Sequence, residues 1–220
     1  MESIAIAGHN IDFEDHSKLL GVHFDSKINF SYHINELCIK AGRQLNALSR
    51  LSRKIDFKTR SIVFRSFICS NLDYCAIVWH FCNREDTIKI ERIYERGLRI
   101  VYKDFDSNYE TLLNRSNFPT LELRRQRTIA TEVFKALNGL CPPYISKLFT
   151  LSNSSTRSNG KNLILPSVRK TFSGLHSFKY FGAKLWNELP DKIKLSRSLK
   201  ASKNNINQWN GFQCKCNQCK

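Results

Sequence analysis

The sequence predicts a mainly α protein: a small N-terminal β-meander, a three-helix bundle, a further helical region and a basic C-terminal extension. Three observations predict it. Beyond Ser31, apolar residues recur at spacings of three and four over long stretches, the period of a helix with one buried face. Before that point they fall in short extended runs broken by turn residues. The chain of 220 residues carries 35 Lys and Arg against 19 Asp and Glu, a net charge of +16. With 41% hydrophobic residues and 15 Phe, that charge sits on a chain able to bury a core.

Residues 3–24 read as extended. Ile4 and Ile6 alternate with small residues, Gly8-His9-Asn10 is a turn signal, and Leu19-Leu20-Gly21-Val22 is a short apolar run. Ser31 is placed to cap the first helix, whose stripe runs through Ile34, Leu37, Cys38, Ala41, Leu45 and Leu48. Asp56 can cap the second, where Val63, Phe64, Phe67 and Ile68 span an arc broad enough for the most buried helix of the bundle. The pattern breaks over residues 72–82. A third helix, from about residue 84 to 103, buries Ile90, Ile93, Tyr94, Gly97, Leu98 and Val101.

A short helix follows from Tyr109 to Asn114. Pro119 opens a longer one through Leu123, Ile129, Ala130, Val133 and Leu137, closed by Gly139 and by Pro142-Pro143. Residues 152–162 have linker composition. Beyond them lie an extended run at Leu163 to Leu165, an aromatic segment (Phe178, Tyr180, Phe181, Trp186) and a last helix near Ser198 to Trp209. The expected segments are therefore 1–30, 31–105, 106–151, the linker 152–162, and 163–220.

No apolar run approaches the roughly 18 residues of a membrane span, and the N-terminus lacks the basic and apolar regions of a signal peptide. The eight Cys form no compact secreted framework, so reduced thiols and an intracellular location, nuclear or cytoplasmic, are expected. Charge is unevenly spread. Residues 1–37 net −4, 38–103 net +8, 104–110 net −3 and 111–220 net +15. Such asymmetry points to a polyanion, nucleic acid being the commonest; the plainer alternative is a merely soluble basic surface.

On helical geometry, Lys89, Arg92, Arg96, Arg99 and Lys103 share one narrow arc of the third helix, and Lys40, Arg43, Arg50 and Lys54 share one on the first. A rigid row of cations can track a phosphate backbone. The competing reading is a solvated face laced by pairs such as Glu85–Lys89 and Glu95–Arg99. Two stripes in one bundle favour nucleic acid. Tyr74, Trp79 and Trp186 could stack on bases, although large aromatics more often fill cores.

The terminal Cys214, Cys216 and Cys219 include a C-x₂-C spacing able to reach one zinc, but a structural site needs four ligands. Cys82 supplies a fourth only if the tail folds back. No cofactor is required by the reading, and zinc is the one candidate. No nucleophile elbow, P-loop, metalloprotease motif or paired aspartates occur, and the six His lack ligand spacing. His33, in the first turn of an amphipathic helix, reads as a surface or boundary residue. Nothing argues for an active site.

The run Leu20-Gly21-Val22-His23-Phe24-Asp25-Ser26-Lys27-Ile28-Asn29-Phe30, with His33-Ile34, Cys38 and Lys40-Ala41, resembles the palm-to-thumb junction of non-LTR (LINE-type, Jockey-like) retrotransposon reverse transcriptases. Tyr74-Cys75-Ala76-Ile77-Val78-Trp79 is similar to the family's Y-C-x-x-V-W segment. Ile90 to Tyr102 is similar to its I-x-x-I-x-x-R-A-L-R-x-I helix. Leu137-Asn138-Gly139-Leu140 with Pro142 and Tyr144, then Phe181-Gly182-Ala183-Lys184-Leu185-Trp186-Asn187 with Leu189-Pro190, resemble its C-terminal region. The likeness is collinear over nearly the whole chain.

The resemblance implies a fragment. Residues 1–30 would be the end of the palm, 31–105 a thumb-like bundle, and the rest a helical and basic extension. The family's metal-binding aspartates lie upstream of the Leu-Gly-Val strand, so no catalytic residue carries over and the chain alone is expected to be inactive. Its implied partners are RNA–DNA or DNA duplex, single-stranded RNA or DNA, and the missing palm and fingers, with no membrane. The rival expectation is a domesticated or relic helical module that binds proteins.

Overall fold

The computed structural model describes residues 3–6, 9–12, 14–152, 161–168 and 174–211. It is mainly helical, with its strands at the N-terminus. By internal contacts the chain divides into two units, Met1–Cys75 with Cys82–Ser116, and Ala76–Phe81 with Asn117–Lys220.

The first unit begins with two separate antiparallel hairpins. β1 (Ser3–Ile6) pairs with β2 (His9–Asp12), and β3 (His16–Leu19) with β4 (Val22–Asp25). Among the described residues the β region is thus two ladders with no strand joining them. His9 and Asn10, expected in a turn, pair within β2. Leu20 and Gly21, expected within a strand, make the turn of the second hairpin. Their φ angles of 47° and 85° are both positive, as in the type I′ turns whose twist suits a two-residue hairpin. The Tyr74 hydroxyl donates to the Leu20 carbonyl at 2.7 Å and holds that strained residue in place.

After β4 the Asp25 carboxylate gathers the backbone N–H groups of Lys27, Asn29 and Phe30, at 3.0, 3.2 and 2.8 Å. This turn delivers the chain into α1 (Ser31–Leu51). Ser31 does not cap it. Phe30 occupies the cap position in a left-handed conformation, and the Ser31 hydroxyl instead donates to Asp86 at 2.5 Å. The shift also corrects the placement of His33, which is buried and accepts the His23 N–H at 3.4 Å because β4 lies over the helix start. Burial, then the charges of His23 and Lys18, hold its imidazole below the ordinary histidine range.

α2 (Phe57–Val63) is capped as expected, Asp56 accepting the Thr59 N–H at 3.0 Å. It widens into a π-helical segment (Phe64–Cys69) and closes as α3 (Ser70–Asp73). The wider turns rotate the buried face onto Phe64, Ile68, Cys69 and Leu72, leaving Phe67 61% exposed. This segment is therefore half-buried, not the bundle's most enclosed helix. α5 (Arg84–Tyr102), separated from α3 by α4 (Ala76–Trp79) of the other unit, is capped by Asn83 and lies against α1. Phe64 stacks on Tyr94 at 5.6 Å between ring centroids, in a slot that Gly97 opens. A Cβ at position 97 would stand 2.0 Å from the Phe64 ring. Arg60 is buried and donates to the carbonyls of Val101 and Ile55 at 2.9 and 2.8 Å, satisfying oxygens near the end of α5 and before α2. α6 (Tyr109–Ser116) returns to α5, where Tyr109 donates to Glu91 at 2.5 Å.

In the second unit, α7 (Leu121–Leu137) starts at Thr120, whose hydroxyl accepts the Leu123 N–H at 3.2 Å, and stops at Gly139 with φ 66°. The Leu140 N–H reaches back to the Lys135 carbonyl at 2.9 Å, the closure a helix-ending glycine permits. One-turn helices α8 (Pro143–Ser146) and α10 (Asp191–Lys194) fall where the sequence pattern shows no helix. α9 (Phe178–Glu188) and α11 (Leu199–Asn207) begin on Ser177 and Ser198. Ile129, Val133, Phe134, Phe149, Trp186 and Ile206 form the heart of the core. Among the described residues no helix is long and apolar enough to cross a membrane.

Candidate nucleic-acid interface

α1 and α5 run parallel. Ser31 meets Asp86 near their starts, Lys89 donates to Asn35 at 3.2 Å, and Arg96 donates to Asn46 at 2.6 Å. Asn35 and Asn46, eleven residues apart, recur on one side of α1, and Arg43 and Arg50 lie about 40–80° further round toward solvent. The exposed positions of this helix pair include Lys40, Arg43, Arg50, Lys89, Arg92 and Arg96, interspersed with Glu36, Ile39, Glu85 and Ile88.

The nine expected contact residues divide by what they already hold. Lys40 donates to Asn71 at 2.8 Å. Lys89 pairs with the buried Asp86 at 2.9 Å, which raises its pKa through that hydrogen bond and charge. Arg96 is bound to Asn46, and Arg99 pairs with Glu95 at 2.6 Å while donating to the Phe105 carbonyl at 2.8 Å. These four brace the bundle. Arg43, Arg50, Lys54, Arg92 and Lys103 are exposed, and their side chains make no hydrogen bond or ion pair among the described residues.

Two of the nine are not on their helices. Lys54 follows the end of α1, and Lys103 is the left-handed residue closing α5 at φ 54°. Both helices end sooner than their charge pattern, and three of these five cations, Arg50, Lys54 and Lys103, lie at that end. A depression of about 520 Å³ lies at that end, lined by Ser49, Arg50, Ser52, Arg53, Ile100, Lys103 and Phe105. Arg53 and Phe105 escape a reading made one helix at a time, because each stands in a connection beyond a helix end. The missed signal is the spacing Arg50, Arg53, Lys54 across an expected helix stop.

The chain matches no family model, no curated protein and no solved structure.

Trp79 and Trp186 are fully enclosed and offer no face to a base, and Trp186 donates to the Lys161 carbonyl at 2.9 Å. Tyr74 is half exposed but its hydroxyl is engaged on Leu20. Cys214, Cys216 and Cys219 lie outside the described residues. Among the described residues no three His, Cys, Asp or Glu side chains are grouped to hold a metal, and Cys38, Cys69, Cys75, Cys82 and Cys141 form no disulfide. Cys38 is pushed up to about 11, chiefly by burial, so its thiol stays protonated.

Proposed function

We propose that this chain is the thumb and C-terminal part of a non-LTR retrotransposon RNA-directed DNA polymerase, a catalytically silent fragment that grips template–primer through its phosphate backbone. One observation supports the reading most. Arg43, Arg50 and Arg92 on two parallel, braced helices, and Arg53, Lys54 and Lys103 just past their ends, have no side-chain partner among the described residues, while four other cations are spent on the bundle's own packing. Cations held on a rigid surface without internal partners lose little on meeting phosphates, and their release of counterions drives association. The grip reads backbone and shape rather than base sequence, as suits an A-form RNA–DNA hybrid. Neither a zinc ion nor any other cofactor enters it, and the palm and fingers of the parent polymerase would supply the chemistry.

The test is binding to an RNA–DNA hybrid of about 20 base pairs across a salt series. The log–log salt slope should be steep, and each of Arg50→Gln, Arg53→Gln and Arg92→Gln should lower it by about 1. Arg96→Gln, which removes a bracing residue, should change stability more than slope. A folded chain with no salt-dependent binding would sink the reading. It would leave the second one, a helical protein-binding module, which the outward Ile62 and Phe67 at 54% and 61% exposure favour.

A further inference from the structure

We propose that the depression at the C-terminal ends of α1 and α5 is a nucleotide-end site, taking a terminal phosphate on Arg50, Arg53 and Lys103 and the attached base on the Phe105 ring. The inference rests on the nucleic-acid reading above and names what one part of that surface holds. The cavity of about 520 Å³ falls within the size range of small-molecule sites, and Ile100, buried to 4%, lines it beside the polar groups. Three cations line it, no carboxylate does, and none of the three has an internal partner among the described residues.

Charge selects the ligand. The two helix ends contribute roughly half a negative charge each, so about two positive charges remain uncompensated. A phosphodiester inside a strand carries one negative charge, whereas a terminal phosphate monoester carries close to two at neutral pH. The depression therefore matches a terminus better than an interior link. Phe105 adds what a purely ionic surface lacks. Its ring is 66% exposed, and its backbone is fixed by the Arg99 guanidinium on its carbonyl at 2.8 Å, so it offers a held apolar face beside the cations. Base stacking on such a ring is tolerant of sequence, in keeping with backbone recognition elsewhere on the bundle.

The experiment compares binding of the full chain to 12-nucleotide strands bearing a 5′-phosphate, a 3′-phosphate or only hydroxyls, at one salt concentration, with adenosine triphosphate and inorganic phosphate as competitors. A phosphorylated end should tighten binding about tenfold, as one well-placed charged contact does. Arg53→Gln should weaken all three strands by the loss of one backbone contact and in addition erase the difference between them, and Phe105→Ala should weaken the phosphorylated strand several-fold. Competition by the triphosphate and not by phosphate would identify a free nucleotide as an equal source of the same chemistry. Lack of competition beside a clear end preference would assign the site to strand ends. Equal affinity for all three strands, with the salt slope intact, overturns the end site and leaves the grip standing. Competent triphosphate binding by a chain that ignores every strand overturns the grip and keeps the pocket.

Discussion

Arg60 and Arg125 are both buried, at 7% and 3% exposure, and their guanidinium groups are met very differently. Arg60 donates to the Val101 and Ile55 carbonyls, which accept no backbone N–H from the turns around them among the described residues. Removing it leaves those oxygens stranded, so Arg60→Met should cost about 3 kcal/mol in urea unfolding. Arg125 sits over the Trp79 ring at 5.3 Å, and its Nε and Nη1 have no hydrogen-bond partner among the described residues. An uncompensated buried charge is unfavourable, and a methionine of similar length would keep the packing. Arg125→Met should therefore leave stability unchanged or raise it by about 1–2 kcal/mol. A loss as large as that of Arg60→Met would refute this.

Arg125 also bears on His80. Burial first, then the charges of Arg125 and His176, bring the His80 pKa down to about 3, and the rings of Phe81 and Phe181 close round it. In the unfolded chain the same group titrates near 6.5, so below that pH the unfolded state binds the extra proton. Stability is full above about 6.5 and falls by about 1.4 kcal/mol for each pH unit below it, until the folded pKa is reached. His176 is lowered by burial and shifts stability in the same direction. Urea titrations at pH 7.5 and 5.0 should show His80→Gln losing about 2 kcal/mol less than the wild type over that interval.

Among the elements, the helices are legible because their stripes are long. Ile34, Leu37, Ala41, Leu45 and Leu48 all reach the core, as do Ile90, Tyr94, Leu98 and Val101. What escapes the pattern is set by neighbours. Phe67 is apolar and in phase with an α-helix, yet the π-helical turns carry it outward, and no periodicity announces such a segment. The charge stripes overrun their helices for a related reason: a 100° periodicity says nothing of where a C-terminus falls. The second hairpin hides its turn behind an apolar pair. Leu20 at φ 47° stands where an Asn-Gly turn would have asparagine, so Leu20→Asn should stabilise by about 0.5–1 kcal/mol in thermal or urea unfolding. Gly97→Ala should do the reverse despite alanine's helix preference. The new methyl must displace the Phe64 ring from Tyr94, at a cost of about 1–3 kcal/mol. A neutral result would mean that the ring finds another rotamer without loss.

For the molecule as a whole, the division into units cuts across the sequence. Ala76–Phe81 leaves the first unit, joins the second, and the chain then returns for α5 and α6. Trp79 has no exposed surface, and the ring pairs of Phe81 with Phe181 and of His80 with Phe181 belong to the second unit. A fragment of residues 1–116 contains Trp79 as its single tryptophan but lacks Arg125 and the rest of α7, against which α4 packs. Its emission should be red-shifted to that of a solvated indole, while helical circular dichroism from α1 and α5 persists. Blue-shifted, native-like emission from that fragment would contradict the assignment. No local pattern foretells this excursion, because the residues around Trp79 look like an ordinary apolar connection until the later aromatic segment is in place.

The same excursion puts a clock into synthesis. Phe81 leaves the ribosome 100 residues before Phe181, its partner, so at about 5–20 residues per second it waits about 5–20 seconds for that contact. α5 and α6 are made during the wait, and their own bundle can close around the unfinished loop. Trp79, His80 and Phe81 then stand as a sticky, uncovered span on a nascent chain, a natural place for a chaperone to hold on until the last helices arrive.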